Sequence, residues 1–414
     1  MPLMTTANLR LMAVAMLAFA TSVSAAPGGG DAAAAMHRRV LTIDSHVDTP
    51  TFVLRKGWDI GERHRPQDDF SQLDIPRMED GGLDAAFFAV YLDQGPLTPE
   101  GYERAHQRGI MKAVAIREAV LKHGDELDLA LTVEDAHRIV ASGRHAIFMS
   151  MENAYPVGRD LSLLPAFHAL GVRMIGLVHE QNNDFADSAT DDAGPKWHGL
   201  SDAGRELVRR ANDLGMVVDG SHASDEALDD LIATSRTPVI LSHSGVRALL
   251  DHPRNLDDAR LERLAASGGV IQIEAYSPYL VATPRDPPER ADAEDSLLKK
   301  LGITSLGEAT PGQKRALVAG VRALDQRFGK PRAGIDDFVA QLLYALRRVG
   351  PDHVGIGSDF DGGGGVAGLE DVSDYPEITR RLILAGYDES DIAKIWGGNV
   401  LRLVERAQAA GKSR

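Results

Sequence analysis

LTIDSHVDT, residues 41–49, is an apolar, β-rich run that ends in two side chains with metal-ligand chemistry, His46 and Asp48. The same design recurs down the chain. AIFMSMEN (146–153) ends around Glu152, MVVDGSH (216–222) in His222, PVILSH (238–243) in His243, and HVGIGSDFDG (353–362) around Asp359. A continuous apolar run bounded by turn residues reads as a strand buried on both faces, as in a parallel sheet. Eight such runs can be marked, at 40–47, 83–92, 146–151, 174–178, 216–219, 238–242, 270–274 and 353–358. Helical patterns separate them. The clearest covers 201–214, with Leu207, Val208, Ala211 and Leu214 on one face, Ser201 as N-cap and Gly215 as its stop. Another covers 337–349, with Phe338, Leu342, Leu343, Ala345 and Leu346 as the apolar stripe. Strands alternating with helices imply βα units, and eight of them predict an α/β protein with a closed (β/α)8, TIM-like barrel. A doubly wound open sheet is the alternative, but no Gly-rich phosphate turn follows the first strand. In a barrel the strand ends converge, so the scattered ligand types are expected at one site.

The chain has 414 residues, formal net charge −15 and no cysteine. Two or three domains of about 150 residues would fit that length, yet α/β barrels routinely run to ~250 residues or more as one unit. We expect a single catalytic barrel over 37–410, with long loops after strands one (55–76) and seven (an insertion at about 276–334, with a helix near 311–328). An acidic chain without a basic tract is a poor partner for nucleic acid or an anionic membrane surface. Without cysteine there is no disulfide, no thiol catalysis and no Cys-bound zinc, so any metal must be held by His and carboxylates. Residues 1–25 read as a secretory signal peptide: Arg10, then the apolar run 11–20, then Val23-Ser24-Ala25 as a cleavage site. The alternative is an uncleaved anchor. Residues 26–36 read as a flexible leader, and the expected location after cleavage near Ala25 is periplasmic or secreted. The polar C-terminus, AQAAGKSR, carries no lipid-anchor signal.

His46 and Asp48 are two apart on a strand, which points both to one side, where they can chelate one ion. Such a tripeptide is common by chance; its place at a strand end is what gives it weight. A lone buried histidine serves as a core hydrogen-bonding residue as readily as a ligand. His222 and His243 end adjacent strands, each after a serine, and neutral imidazoles suit zinc and similar divalent ions. Glu152 reads either as a structural ion-pair partner or as a ligand, since a buried carboxylate is costly unless paired. Together these five suggest two ions with Glu152 between them, able to share a hydroxide acidified to a pKa near ~7. Asp359 reads as the group that takes and passes on a proton, or as a cap on the Gly-rich turn, a role that suits Asp361 better.

These motifs, taken in order, resemble those of the membrane (renal-type) dipeptidases, a branch of the amidohydrolase-like metallo-barrels. The stretches that carry the likeness are DSHVDTP (44–50), DIPRMEDGGLDAAFFAVY (74–91), GLSDAGRELVRRANDLGMVVDGSHAS (199–224), VILSHSGVRAL (239–249), HPRNLDD (252–258), HVGIGSDFDGG (353–363) and GYDESDIAKIWGGNVLRLVE (386–405). The likeness runs from about Val40 to Val404, with a gap in the insertion. It implies a binuclear zinc peptidase for dipeptides with a free C-terminal carboxylate, often tolerant of a D-residue in second place. By that likeness His46 and Asp48 bind the first metal, Glu152 bridges, and His222 and His243 bind the second. Asp359 handles the proton, His179 holds the substrate carbonyl and its oxyanion, and Arg254 pairs with the substrate carboxylate. Relatives commonly form homodimers.

Departures are visible. Asn153-Ala154-Tyr155-Pro156 follows the bridging position, where many relatives are Gly-rich. The insertion at about 276–334 is longer than the family's usual one, and we expect it to lid the site or build a dimer contact. Rival chemistries are another metal hydrolase on the same barrel, such as a lactonase, β-lactam hydrolase, phosphotriesterase or deaminase, and a non-catalytic binding protein. Many of those hydrolases use a carboxylated lysine on strand four, and 174–179 contains none.

Overall fold

A computed structural model describes residues 29–304 and 309–412. Its eight main strands are β1 (Ile43–Val47), β2 (Ala85–Tyr91), β3 (His145–Glu152), β4 (Val172–Gly176), β5 (Val217–Asp219), β6 (Ile240–Val246), β7 (Val270–Ile273) and β8 (Val354–Ile356). All pair in parallel and in chain order. Closure between β8 and β1 comes at their C-terminal ends: Val47 bridges Phe360, Asp48 N–H donates to the Phe360 carbonyl at 2.8 Å, and Asp359 N–H donates to the His46 carbonyl at 3.2 Å. The architecture is a nearly closed eight-stranded α/β barrel, with β1 and β8 joined at three of the expected site residues, His46, Asp48 and Asp359.

Each strand coincides with one of the eight apolar runs, shifted by a few residues at its ends. Two further pairings escape a reading by pattern because they are so short: Leu127–Leu129 beside β3 and Asn255–Leu256 beside β6. Residues at the strand starts, Ile43, Ala85, Val217, Ile240 and Val270, form a buried cluster with Val400, Leu403 and Val404 of the C-terminal helix Asn399–Lys412. That helix therefore covers the end of the barrel away from the ligand residues. Phe87 and Phe148 stack within the same cluster, with ring centres 4.7 Å apart. Burying such a ring is worth about 2–3 kcal/mol.

The helix expected at 201–214 runs from Asp202 to Asp213, with Ser201 accepting from Gly204 N–H and Gly215 left-handed at φ +74. Its buried face is Leu207, Val208 and Ala211. In the insertion, the expected helix runs from Pro311 to Phe328, N-capped by Thr310. A second helix, Pro288–Leu301, pairs with it; its one buried residue is Arg290, held by Asp325, Glu294 and Asp286, and half-buried Ala293, Leu297 and Leu301 continue the same side. Arg290 interrupts the apolar side of this helix at its most buried position, which is why periodicity does not reveal it. The loop after β1 also contains a short helix, Pro66–Asp69.

One expectation is corrected. From Gly29 onward, the stretch read as a flexible leader is helical, Gly29–His37. His37 pins it down: Nδ1 meets Thr379 Oγ1 at 2.6 Å, and Nε2 meets the Gly81 carbonyl at 2.8 Å. Burial pushes this histidine down to about 4, so it is neutral near pH 7. The signal peptide expected at 1–25 lies outside the described residues. Among the described residues, no helix is long and apolar enough to cross a membrane.

Candidate active site

The site is built where the strands end. Glu152 is the last residue of β3 and is buried. Its two carboxylate oxygens face different partners. Oε2 lies 3.3 Å from His46 Nε2, while Oε1 lies 3.0 Å from His222 Nε2, 3.4 Å from His243 Nε2 and 3.7 Å from His179 Nε2. Asp48 Oδ2 sits 3.3 Å from His46 Nε2, and Asp359 Oδ1 sits 3.9 Å from it. Ligand atoms gather into three overlapping groups, each within 4.8 Å: His46, Glu152 and His243; Glu152, His179 and His222; and His46, Asp48 and Asp359. Seven of the eight residues expected to act together thus share one cluster. The eighth, Arg254, lines the same cavity of about 380 Å³.

The backbone is bent to present these groups. His222, Asp359 and Asn153 adopt left-handed conformations, with φ of +66, +60 and +64. This region is costly for residues with a side chain and collects at functional sites. Two buried carboxylates brace the strand ends from below. Asp44 accepts from His46 N–H at 2.9 Å, from Ser358 N–H at 3.1 Å and from the Ser358 and Tyr375 hydroxyls, tying β1 to the segment after β8. Asp219 accepts from Ser221 N–H at 2.9 Å and Ser242 N–H at 3.0 Å, tying β5 to β6 beneath His222 and His243. Asp361 is also structural: it accepts from Gln72 N–H at 2.6 Å and from the Thr49 hydroxyl at 2.7 Å, so it anchors neighbouring loops rather than capping its own turn.

Burial, aided by nearby cations, holds His222 and His243 well below the usual histidine range, so both rings are neutral and offer lone pairs. Their Nε2 atoms lie 2.8 Å apart. Burial opposes charge on His46 and Glu152 too, yet their mutual attraction prevails: His46 is held well above its ordinary value and Glu152 well below. Burial pushes Asp359 well above the usual carboxylate range; the His46 charge opposes this, and Asp48, Glu274 and Glu152 add to it. His46 Nε2, Asp48 Oδ1 and His222 Nδ1 are buried without a hydrogen-bond partner among the described residues. Neutral imidazoles, crowded carboxylates and orphaned donor atoms fit divalent cations, and the all-N/O donor set suits zinc and its neighbours.

A model of the membrane dipeptidase family (peptidase family M19) matches residues 31–414. The chain belongs to that family. Membrane dipeptidases are metal-dependent peptide-bond hydrolases, and this one acts accordingly on small peptides with the help of divalent metal. Among relatives, dipeptidase tcpJ of Claviceps purpurea (strain 20.1) is 32% identical over 382 residues, covering 89% of this chain and 78% of its own. The solved structure of the probable dipeptidase PvdM from Pseudomonas aeruginosa superposes with a TM-score of 0.77 at 32% identity, covering 92% of this chain and 99% of that one. A metallo peptidase from Rhodobacter sphaeroides, liganded with a phosphinate mimic of L-Ala-D-Ala, shares the fold at TM-score 0.69 and 24% identity, covering 89% and 99%.

Several residues in this dipeptidase cavity escaped the sequence reading. Glu274, directly after β7, is fully buried with both carboxylate oxygens unpartnered, 3.6 Å from Arg254 Nη2. Burial pushes it up to about 7, against the pull of Arg254. Its position at the end of an apolar run is the one signal that marks it. Tyr91, Asp93, Tyr276 and Tyr279 also line the cavity, and neither their type nor their spacing distinguishes them in the sequence.

Proposed function

We propose that the enzyme binds two divalent ions, most simply zinc, and cleaves dipeptides that carry a free C-terminal carboxylate. The observation that carries this reading is Glu152, whose two oxygens face two separate sets of ligand atoms. On one side His46 and Asp48 would hold the first ion; on the other, His222 and His243 would hold the second; Glu152 would serve both. When bound, the ions supply a water acidic enough to attack at neutral pH and a positive field for the scissile carbonyl.

The chain's own residues do the rest. Asp359 takes the proton of the attacking water on a carboxylate oxygen and delivers it to the amide nitrogen as the C–N bond breaks. Its raised proton affinity suits a group that must hold a proton in transit. His179, which stays partly exposed at the cavity wall with Nε2 turned toward Glu152, steadies the carbonyl oxygen as negative charge develops there. Arg254 offers its planar fork to the substrate carboxylate: Nη2 donates to the His243 carbonyl at 3.1 Å, and its buried Nε has no partner. We extend the reading to a D-residue in second place, the configuration of the mimic held by the Rhodobacter sphaeroides protein. We also propose that the enzyme is exported, with the signal peptide read at 1–25 removed before it meets its substrates.

The deciding experiment is hydrolysis by protein stripped with a chelator and reloaded with zinc. Dipeptides of L,L and L,D configuration should be cleaved, and chelated protein should be inactive. No cleavage of any free dipeptide by zinc-loaded protein would sink the reading.

A further inference from the structure

Four lysine and arginine side chains are buried among the described residues: Arg77, Lys112, Arg254 and Arg290. Arg77 meets Asp74 at 2.7 Å, Arg290 meets Asp325 at 2.5 Å, and Arg254 faces Glu274 at 3.6 Å. Lys112 has no such partner. It lies on the long helix Pro99–Lys122, and its ammonium donates to the Thr51 hydroxyl at 3.1 Å and lies 5.7 Å from the Tyr91 ring centre. No carboxylate of the described residues comes within 4.0 Å of it. The anions that act on it from further off are Asp48 and Glu152, both committed to metal in the function proposed above, and, more weakly, Asp93. A buried ammonium with spare N–H groups is costly unless an anion reaches it.

Lys112 lines a cavity of about 290 Å³ beside the catalytic one. The two share Thr51, Tyr91 and Asp93 as their common wall. Leu54, Leu92 and Met111 give the side cavity aliphatic walls, and Arg108 adds a second positive charge. Its one acidic residue, Asp93, already accepts the Tyr91 hydroxyl at 2.7 Å. The side cavity is therefore net positive in a chain whose formal charge is −15.

Its position on the barrel says which part of a substrate would reach it. Arg254 is held to β6 through the His243 carbonyl, whereas Tyr91 ends β2 and pairs in register with Glu152. β2 and β6 are four places apart in the eight-strand order, on opposite sides of the ring. A dipeptide with its carboxylate on Arg254 and its scissile carbonyl over Glu152 and His179 extends its N-terminal residue toward β2.

We infer that the Lys112 cavity is a specificity subsite for an acidic side chain on the N-terminal residue of the dipeptide, glutamate above all. The aliphatic stem would run along Leu54, Leu92 and Met111, and the carboxylate would take the free N–H groups of Lys112. This rests on the dipeptidase reading with Arg254 at the C-terminus.

The test compares kcat/KM for Glu-Ala, its neutral isostere Gln-Ala, and Leu-Ala, using zinc-loaded wild type, Lys112→Met and Lys112→Arg. Wild type should favour Glu-Ala over Gln-Ala by about tenfold, the scale of one charge-assisted hydrogen bond. Lys112→Met should bring that ratio to about one, and Lys112→Arg should keep most of it. Equal wild-type rates on Glu-Ala and Gln-Ala overturn the subsite. So does a preference that survives Lys112→Met, or a loss of the same factor on all three substrates, which marks a merely structural lysine. Should Lys112→Met not fold, the wild-type ratio and Lys112→Arg still decide. Failure of wild type to cleave any of the three refutes the dipeptidase reading itself, whereas cleavage of all three without preference refutes the subsite alone.

Discussion

Replacing Arg254 with methionine removes a guanidinium and keeps much of its aliphatic bulk. In the fold, the guanidinium spends one N–H on the His243 carbonyl at 3.1 Å and sits 5.2 Å from the Tyr279 ring centre, with its buried Nε–H free. A bidentate grip on a carboxylate adds two charge-assisted hydrogen bonds, each worth about 1.5–3 kcal/mol. Taking the lower figure for both, Arg254→Met should cost about 3 kcal/mol in transition-state binding, or on the order of 10²-fold in kcat/KM. Glu274 limits the damage to folding. With Arg254 beside it, its pKa is already about 7, and without the cation it rises further, so the carboxyl becomes neutral instead of standing as a lone buried anion. The assay compares a free dipeptide with its C-terminal amide. Wild type should prefer the free acid by about the same 10²-fold, and the variant should lose that preference while its rate on the amide changes little. An equal drop on both substrates would falsify the placement of Arg254 at the substrate carboxylate.

Three further outcomes follow from the same geometry. Glu152→Gln should strip both ions, read as metal per chain after dialysis; a variant that retains one ion would mean that Glu152 serves a single site. In chelated protein, Glu274 holds a proton more tightly folded (about 7) than unfolded (4.5), so its stabilising effect is complete below pH 4.5 and is lost as the pH rises to 7. The stability of Glu274→Gln relative to wild type should therefore climb by about 3 kcal/mol across that window in urea titrations, and a flat difference would argue against the raised pKa. Finally, N-terminal sequencing of exported protein should begin at Ala26, and an intact Met1 on the exported chain would refute cleavage there.

Much of this molecule was legible before any coordinates. Strands buried on both faces must be apolar throughout, so the eight runs stood out, and their number and alternation with helices implied a barrel. Ligand types at strand ends were legible for the same reason: a polar residue directly after an apolar run has to face either solvent or a function. The helix at 201–214 announced itself by its cap, its stripe and its glycine stop. Pro288–Leu301 did not, because the most buried residue of its inner side is Arg290, paired with Asp325, and a charged residue there breaks the apolar period. The helix Gly29–His37 was hidden too, in a run of glycine and alanine whose order depends on His37 reaching Thr379 and Gly81, far along the chain.

The sequence by itself thus determined the fold class and the chemical types at the site, since both follow from local pattern and strand position. Only the tertiary structure decided which atoms meet. That the two oxygens of Glu152 face different histidines, that Asp44 and Asp219 brace the strands beneath them, and that Lys112 is, among the described residues, the buried lysine or arginine left without a carboxylate are facts about distance. Distances of this kind are set by closing the ring and bending the backbone at His222 and Asp359, and residues hundreds of positions apart acquire them together or not at all.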